Sequence, residues 1–117
     1  MNANGHTVKE HFENRAPGVK ATYAAILQAA KKFGPVKEEA KKTSIHLVSK
    51  SAFAGIATHK AGLILTLKSD SDVASKRIAR SEQASAHRWH LEIKLQAPEQ
   101  VDREVLGWLK KAYELAA

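Results

Sequence analysis

The stretch His87-Arg88-Trp89-His90-Leu91-Glu92-Ile93-Lys94-Leu95 decides the fold. His87, Trp89, Leu91, Ile93 and Leu95 fall on one side of an extended chain, and Arg88, His90, Glu92 and Lys94 on the other, because successive strand side chains point to opposite faces. Such a strand has one covered face and one wet face. Leu63, Leu65 and Leu67 alternate in the same way with Ile64, Thr66 and Lys68, and Ile45 and Leu47 with Ser44, His46 and Val48. Residues 51–58 carry Ala52, Ala54, Gly55 and Ala57, which are weak strand formers. Their place between two good strands makes them a hairpin member, and their small side chains let another group approach closely. Residues 77–80 are read as a further short strand after a polar loop over 69–75.

Helical spacing governs the two ends of the chain. Thr7 and Glu10 match a capping box, which predicts a short helix from Val8 to about Asn14. Tyr23, Ile26, Leu27, Ala30 and Phe33 recur at helical spacing from Val19 until Gly34 and Pro35 stop the run. Pro98 is expected at the first position of a C-terminal helix with Glu99 and Asp102 in its first turn. Val101, Val105, Trp108, Leu109 and Ala112 form its apolar stripe, with Trp108 expected in the core against the sheet. The order defines a two-layer α+β fold: an antiparallel sheet of four to five strands with N-terminal and C-terminal helices packed on one face.

The 117 residues fit a single domain, 1–117, with 44% hydrophobic and 26% charged residues. There is no cysteine, hence no disulfide, thiolate metal site or cysteine nucleophile, which points to the cytoplasm. No apolar run approaches the roughly 20 residues of a membrane span, and residues 1–7 lack the pattern of a signal peptide. The net charge of +7 is confined to residues 1–69, where eleven Lys and Arg meet four Asp and Glu; residues 70–117 are balanced.

That asymmetry is the one feature with a direction, and it attracts anions. The densest basic stretch holds Lys37, Lys41, Lys42, Ser44, His46 and Lys50, although Glu38 and Glu39 dilute it. Lys42, Ser44, His46, Val48 and Lys50 share the face opposite Ile45 and Leu47. With Lys60 and Arg88 they form the candidate site for a small anion or for nucleic acid or another polyanion. Base stacking would require exposed aromatic rings, and most of the aromatic residues fall on core faces.

The alternative is an enzyme or small-molecule site in a pocket between sheet and helices, gathering His46, His90 and Glu92. No residue is assigned to catalysis: Ser44, Ser49, Ser51, Ser81 and Ser85 lie in no nucleophile-elbow pattern, and there is no phosphate-binding glycine loop or dinucleotide fingerprint. His87 and His90, three apart, point to opposite faces of a strand and cannot chelate one ion together. No metal or cofactor is expected.

The run Lys41-Lys42-Thr43-Ser44-Ile45-His46-Leu47, then Ser51-Ala52-Phe53-Ala54-Gly55, and later Leu106-Gly107-Trp108-Leu109 with Ala112-Tyr113-Glu114, resembles a bacterial family of small domains of unknown function. The resemblance extends from Val8-Lys9-Glu10-His11-Phe12 to Tyr113. It implies a binding or accessory role and supplies no catalytic residue or ligand. The order of elements is also similar to the frataxin-type architecture, whose iron binding uses an acidic first helix. Here Lys20, Lys31 and Lys32 make that helix basic, which disfavours an iron carrier.

Overall fold

The structure is a computed structural model that describes residues 6–116, so most of the polar opening segment lies outside the described residues. Six strands form one antiparallel sheet: β1 Lys37–Ala40, β2 Ile45–Val48, β3 Ala52–Thr58, β4 Leu63–Ser69, β5 Ile78–Ser85 and β6 Arg88–Leu95, in the order β1-β2-β3-β4-β6-β5. The central ladder pairs Leu63 with Leu95, Leu65 with Ile93 and Leu67 with Leu91, so both alternating strands turn their apolar sides the same way. His87 falls in the turn that joins β5 to β6.

The sheet has six strands where four to five were expected, and both differences lie at its edges. The Lys-Glu-Glu-Ala of β1 shows no alternation and buries only Ala40. An edge strand that is exposed on both sides has no need of a two-residue repeat. β5 extends to Ser85, beyond the expected residues 77–80, and its side chains stay mostly exposed. Register shifts at Ile78/Arg80 and Gln83/Ser85, together with Arg80 and Glu82, break up this edge and discourage pairing with another chain.

Both helices cover the apolar face. In α1, Pro17–Lys31, the buried residues are Val19, Thr22, Tyr23, Ile26 and Ala30; in α2, Arg103–Leu115, they are Val105, Leu109 and Ala112. These apolar residues join Ile45, Leu47, Ile56, Leu65, Leu67 and Ile93 in one core. A register shift at Leu47/Val48, opposite Ala52 and Ala54, puts Phe53 and Ala54 in the core side by side. Phe53 then meets Tyr113 edge-on at 5.2 Å. Among the described residues no helix is long and apolar enough to cross a membrane.

The ends of the helices differ from expectation in detail. The capping box of Thr7 and Glu10 forms, with reciprocal hydrogen bonds of 3.2 and 3.3 Å, but the segment it opens is a 3-10 helix, Lys9–Phe12. Pro98 likewise opens a 3-10 turn, Pro98–Gln100, and Asp102 is the N-cap of α2, its carboxylate accepting from Val105 N–H at 3.2 Å. Trp108 is half-buried beside Val73 and Leu91, because the buried line through Val105, Leu109 and Ala112 passes one step to its side. Gly34 sits at φ 155°, where a Cβ would collide with the phenol of Tyr113.

Two expectations follow from this packing. Leu109→Ala should lower stability by about 2–5 kcal/mol, the cost of a cavity in a closed core. Trp108→Ala should cost clearly less in the same denaturation series, and equal losses would contradict its half-exposed position. The second concerns acid. The Val105 N–H and then the Arg77 guanidinium hold Asp102 below its ordinary pKa, and the Thr7 N–H and then His6 do the same for Glu10. A depressed folded-state pKa gives stability that is complete above the unfolded value near 4 and is lost as pH falls through the folded value. Asp102→Asn keeps a capping oxygen without the charge, so its melting temperature should fall less than that of the wild type between about pH 5 and pH 2. Superimposable acid profiles would refute this assignment.

Candidate functional site

On the face turned away from the helices, side-chain size sets the relief. β3 presents Ala52, Gly55 and Ala57 there, whereas its neighbours present His46 from β2 and Thr66 and Lys68 from β4. A strand of minimal side chains between two taller ones leaves a trough, because strand side chains stand roughly perpendicular to the sheet. Its volume is about 300 Å³, and Ser44 and His90 complete the walls. His46, Gly55 and Thr66 are directly opposite one another in register. A Cβ on Gly55 would lie 3.8 Å from His46 Cδ2 and 4.0 Å from Thr66 Cβ, which is ordinary contact. Neither backbone nor crowding therefore requires glycine, and its effect is to keep the floor open.

The polar groups lining the trough are two imidazoles, one ammonium and two hydroxyls, with no carboxylate. Lys68 Nζ leans toward the β2–β3 turn and donates to Ser51 Oγ at 3.2 Å. Nearby acids are engaged on either side: Glu39, opposite His46, pairs with Lys41 at 3.4 Å, and Glu82, opposite His90, pairs with Arg80 at 2.7 Å. Glu92 lies beyond Thr66 in the same cross-strand row and is opposite Arg80. Among the described residues no group of three or more His, Asp or Glu is placed to hold a metal ion.

Of the residues selected from sequence, Ser44 and His46 line the trough. The antiparallel order distributes the rest between its two ends. Lys41 and Lys42 occupy the turn between β1 and β2, and Lys60 the turn between β3 and β4, so these three share one end of the sheet. Lys37, Lys50 and Arg88 belong to the other end. The seven residues of β3 separate the two ends by roughly 20 Å, at about 3.3 Å per residue. The first turn is braced from the N-terminal segment: the buried His11 donates through Nε2 to the Lys41 carbonyl at 2.7 Å, and Lys41 N–H donates to Ser44 C=O at 2.7 Å. Lys68 and Thr66 were not selected from sequence, although both fall on the wet side of the Leu63, Leu65, Leu67 alternation. His46 and His90 share the trough with its helix-free surroundings, and Glu92 stands outside its lining.

The fold is a two-layer α+β arrangement with one face of the sheet covered by the helices and one helix-free face. The chain belongs to the family DUF5655, a domain of unknown function, whose sequence profile matches residues 8–116. No curated protein and no solved structure matches it.

Because Gly55 meets only ordinary contacts, Gly55→Ala should leave stability unchanged or raise it by about 0.4–1 kcal/mol through the less flexible unfolded chain. A marked drop in the denaturation midpoint would show that the floor of the trough is more crowded than this geometry.

Proposed function

We propose that this chain is a non-enzymatic binding domain that holds an anionic ligand along the β3 trough. The observation carrying this reading is that the polar groups lining the trough include no carboxylate, while lysine-bearing turns lie at both ends of β3. A small anion would contact His46, Thr66, Lys68 and His90. A longer anionic chain laid along β3 would also reach Lys41, Lys42 and Lys60 at one end and Lys50 at the other. Phosphate contacts of this kind position a polyanion without reading bases. The described aromatic pairs Phe12 with Tyr23, Phe33 with Tyr113 and Phe53 with Tyr113 offer the trough no stacking platform. A cytoplasmic location suits the cysteine-free composition.

The imidazoles of His46 and His90, on opposite walls of the trough and three strands apart, support a second reading as a small-molecule or catalytic site on the open face, since histidine serves both as an anion donor and as a proton carrier.

The test is titration of the folded protein with a labelled single-stranded oligonucleotide and with heparin, at low and at physiological salt. Binding should be detectable at low salt and weaken steeply as salt rises. Lys42→Glu combined with Lys68→Glu should abolish it with little change in melting temperature, because exposed charges add little stability. Absence of binding at low salt, or binding indifferent to the double reversal, would remove the anion reading and favour the second one.

A further inference from the structure

A separate cavity of about 310 Å³ lies at the corner where the α1–β1 connection, the β2–β3 turn and the end of α2 meet. Pro35, Val36, Val48 and the Tyr113 ring give it apolar walls, with Lys37, Lys50 and Ser49 around them. Its size is at the lower end of the range for small-molecule sites, which combine apolar walls with a few placed polar groups.

The walls are preformed. Tyr113 Oη donates to the Pro35 carbonyl at 3.1 Å, and its ring is flanked by Phe33 at 5.9 Å and Phe53 at 5.2 Å. Ser49 Oγ donates to the Ala116 carbonyl at 3.3 Å, and Ser49 N–H to Ser51 C=O at 3.1 Å.

The charge at the cavity has no ion-pair partner among the described residues. Among the described residues neither Lys37 nor Lys50 takes part in an ion pair, unlike Lys41 with Glu39 and Lys111 with Asp70. The carboxylates nearest in sequence are engaged elsewhere: Glu38 accepts from Tyr23 Oη at 2.6 Å, and Glu39 pairs with Lys41. Among the described residues no acid lines the cavity.

We propose that this corner is a second binding site, with walls of its own beside the Lys50 end of the trough, for a small amphipathic organic anion: a carboxylate or sulfonate on an aromatic or aliphatic body. The body would pack against Val36, Val48 and the Tyr113 ring, and the acid group would sit between the two ammonium groups. Attraction by two unpaired cations selects against a neutral or cationic molecule of the same shape.

Three probes of nearly one shape separate charge from apolar contact: benzoate, benzyl alcohol and benzylammonium. Each is titrated into isotope-labelled protein while amide chemical shifts are followed. Benzoate should shift Val36, Val48, Ser49, Lys50 and Tyr113 saturably, benzyl alcohol should do so more weakly, and benzylammonium should not. Lys37→Glu with Lys50→Glu should weaken benzoate roughly tenfold, since each exposed charge contact contributes up to a few-fold and reversal also adds repulsion. Gly55→Val and Lys42→Glu, which alter the floor of the trough and its far end, should leave benzoate binding unchanged. Equal binding of all three probes, shifts centred elsewhere, no saturable shift with benzoate, or benzoate affinity that survives the double reversal would overturn the proposal. The dispersion of the amide spectrum checks that each variant is folded.

Discussion

The pairing of β4 with β6 is the constraint on which the rest of the molecule depends. Leu63 faces Leu95, Leu65 faces Ile93 and Leu67 faces Leu91. A slip of one residue would carry every one of these side chains to the opposite face, so burial fixes the register. Once these leucines and isoleucines point one way, α1 and α2 must cover them, and Ile64, Thr66, Lys68, His90, Glu92 and Lys94 are committed to the other side. The open face is therefore a consequence of how the core is built.

On that open face the relief comes from β3. Its inward side needs Phe53, Ala54 and Ile56 to reach the helices, and the bulge opposite Leu47 and Val48 lets two consecutive residues do so. Its outward side carries only Ala52, Gly55 and Ala57. A strand chosen purely for stability would place larger branched side chains here, since these pack well on a pleated surface. The small residues instead leave room between His46 and Lys68, a departure from good strand composition.

The interior of the fold was legible in the sequence because burial of one side only writes a period. β2, β4 and β6 and the apolar stripe of α1 are all visible as alternation or helical spacing. β1 left no such trace and β5 was read only over residues 77–80, since an edge strand can be polar on both sides. A stripe several residues wide does not say which member faces the core centre; Leu109 takes that place and Trp108, partly buried, flanks it. For the site, strand period was enough to put Ser44 and His46 on the wet face. The separation of Lys41, Lys42 and Lys60 from Lys37, Lys50 and Arg88 required the strand order, which no local pattern encodes. The meeting of Lys37 and Lys50 with Tyr113 depended on where the end of α2 docks, a contact between residues far apart in the chain.

The central claim is that anions are received on the helix-free face over β3. It is tested most directly by following the amide and imidazole resonances of the folded protein as inorganic tripolyphosphate is added at low salt. The account predicts saturable changes at His46, Gly55, Thr66, Lys68 and His90, with the resonances of α1 and α2 unmoved. Changes confined to the helices, or the absence of any saturable change, would contradict it.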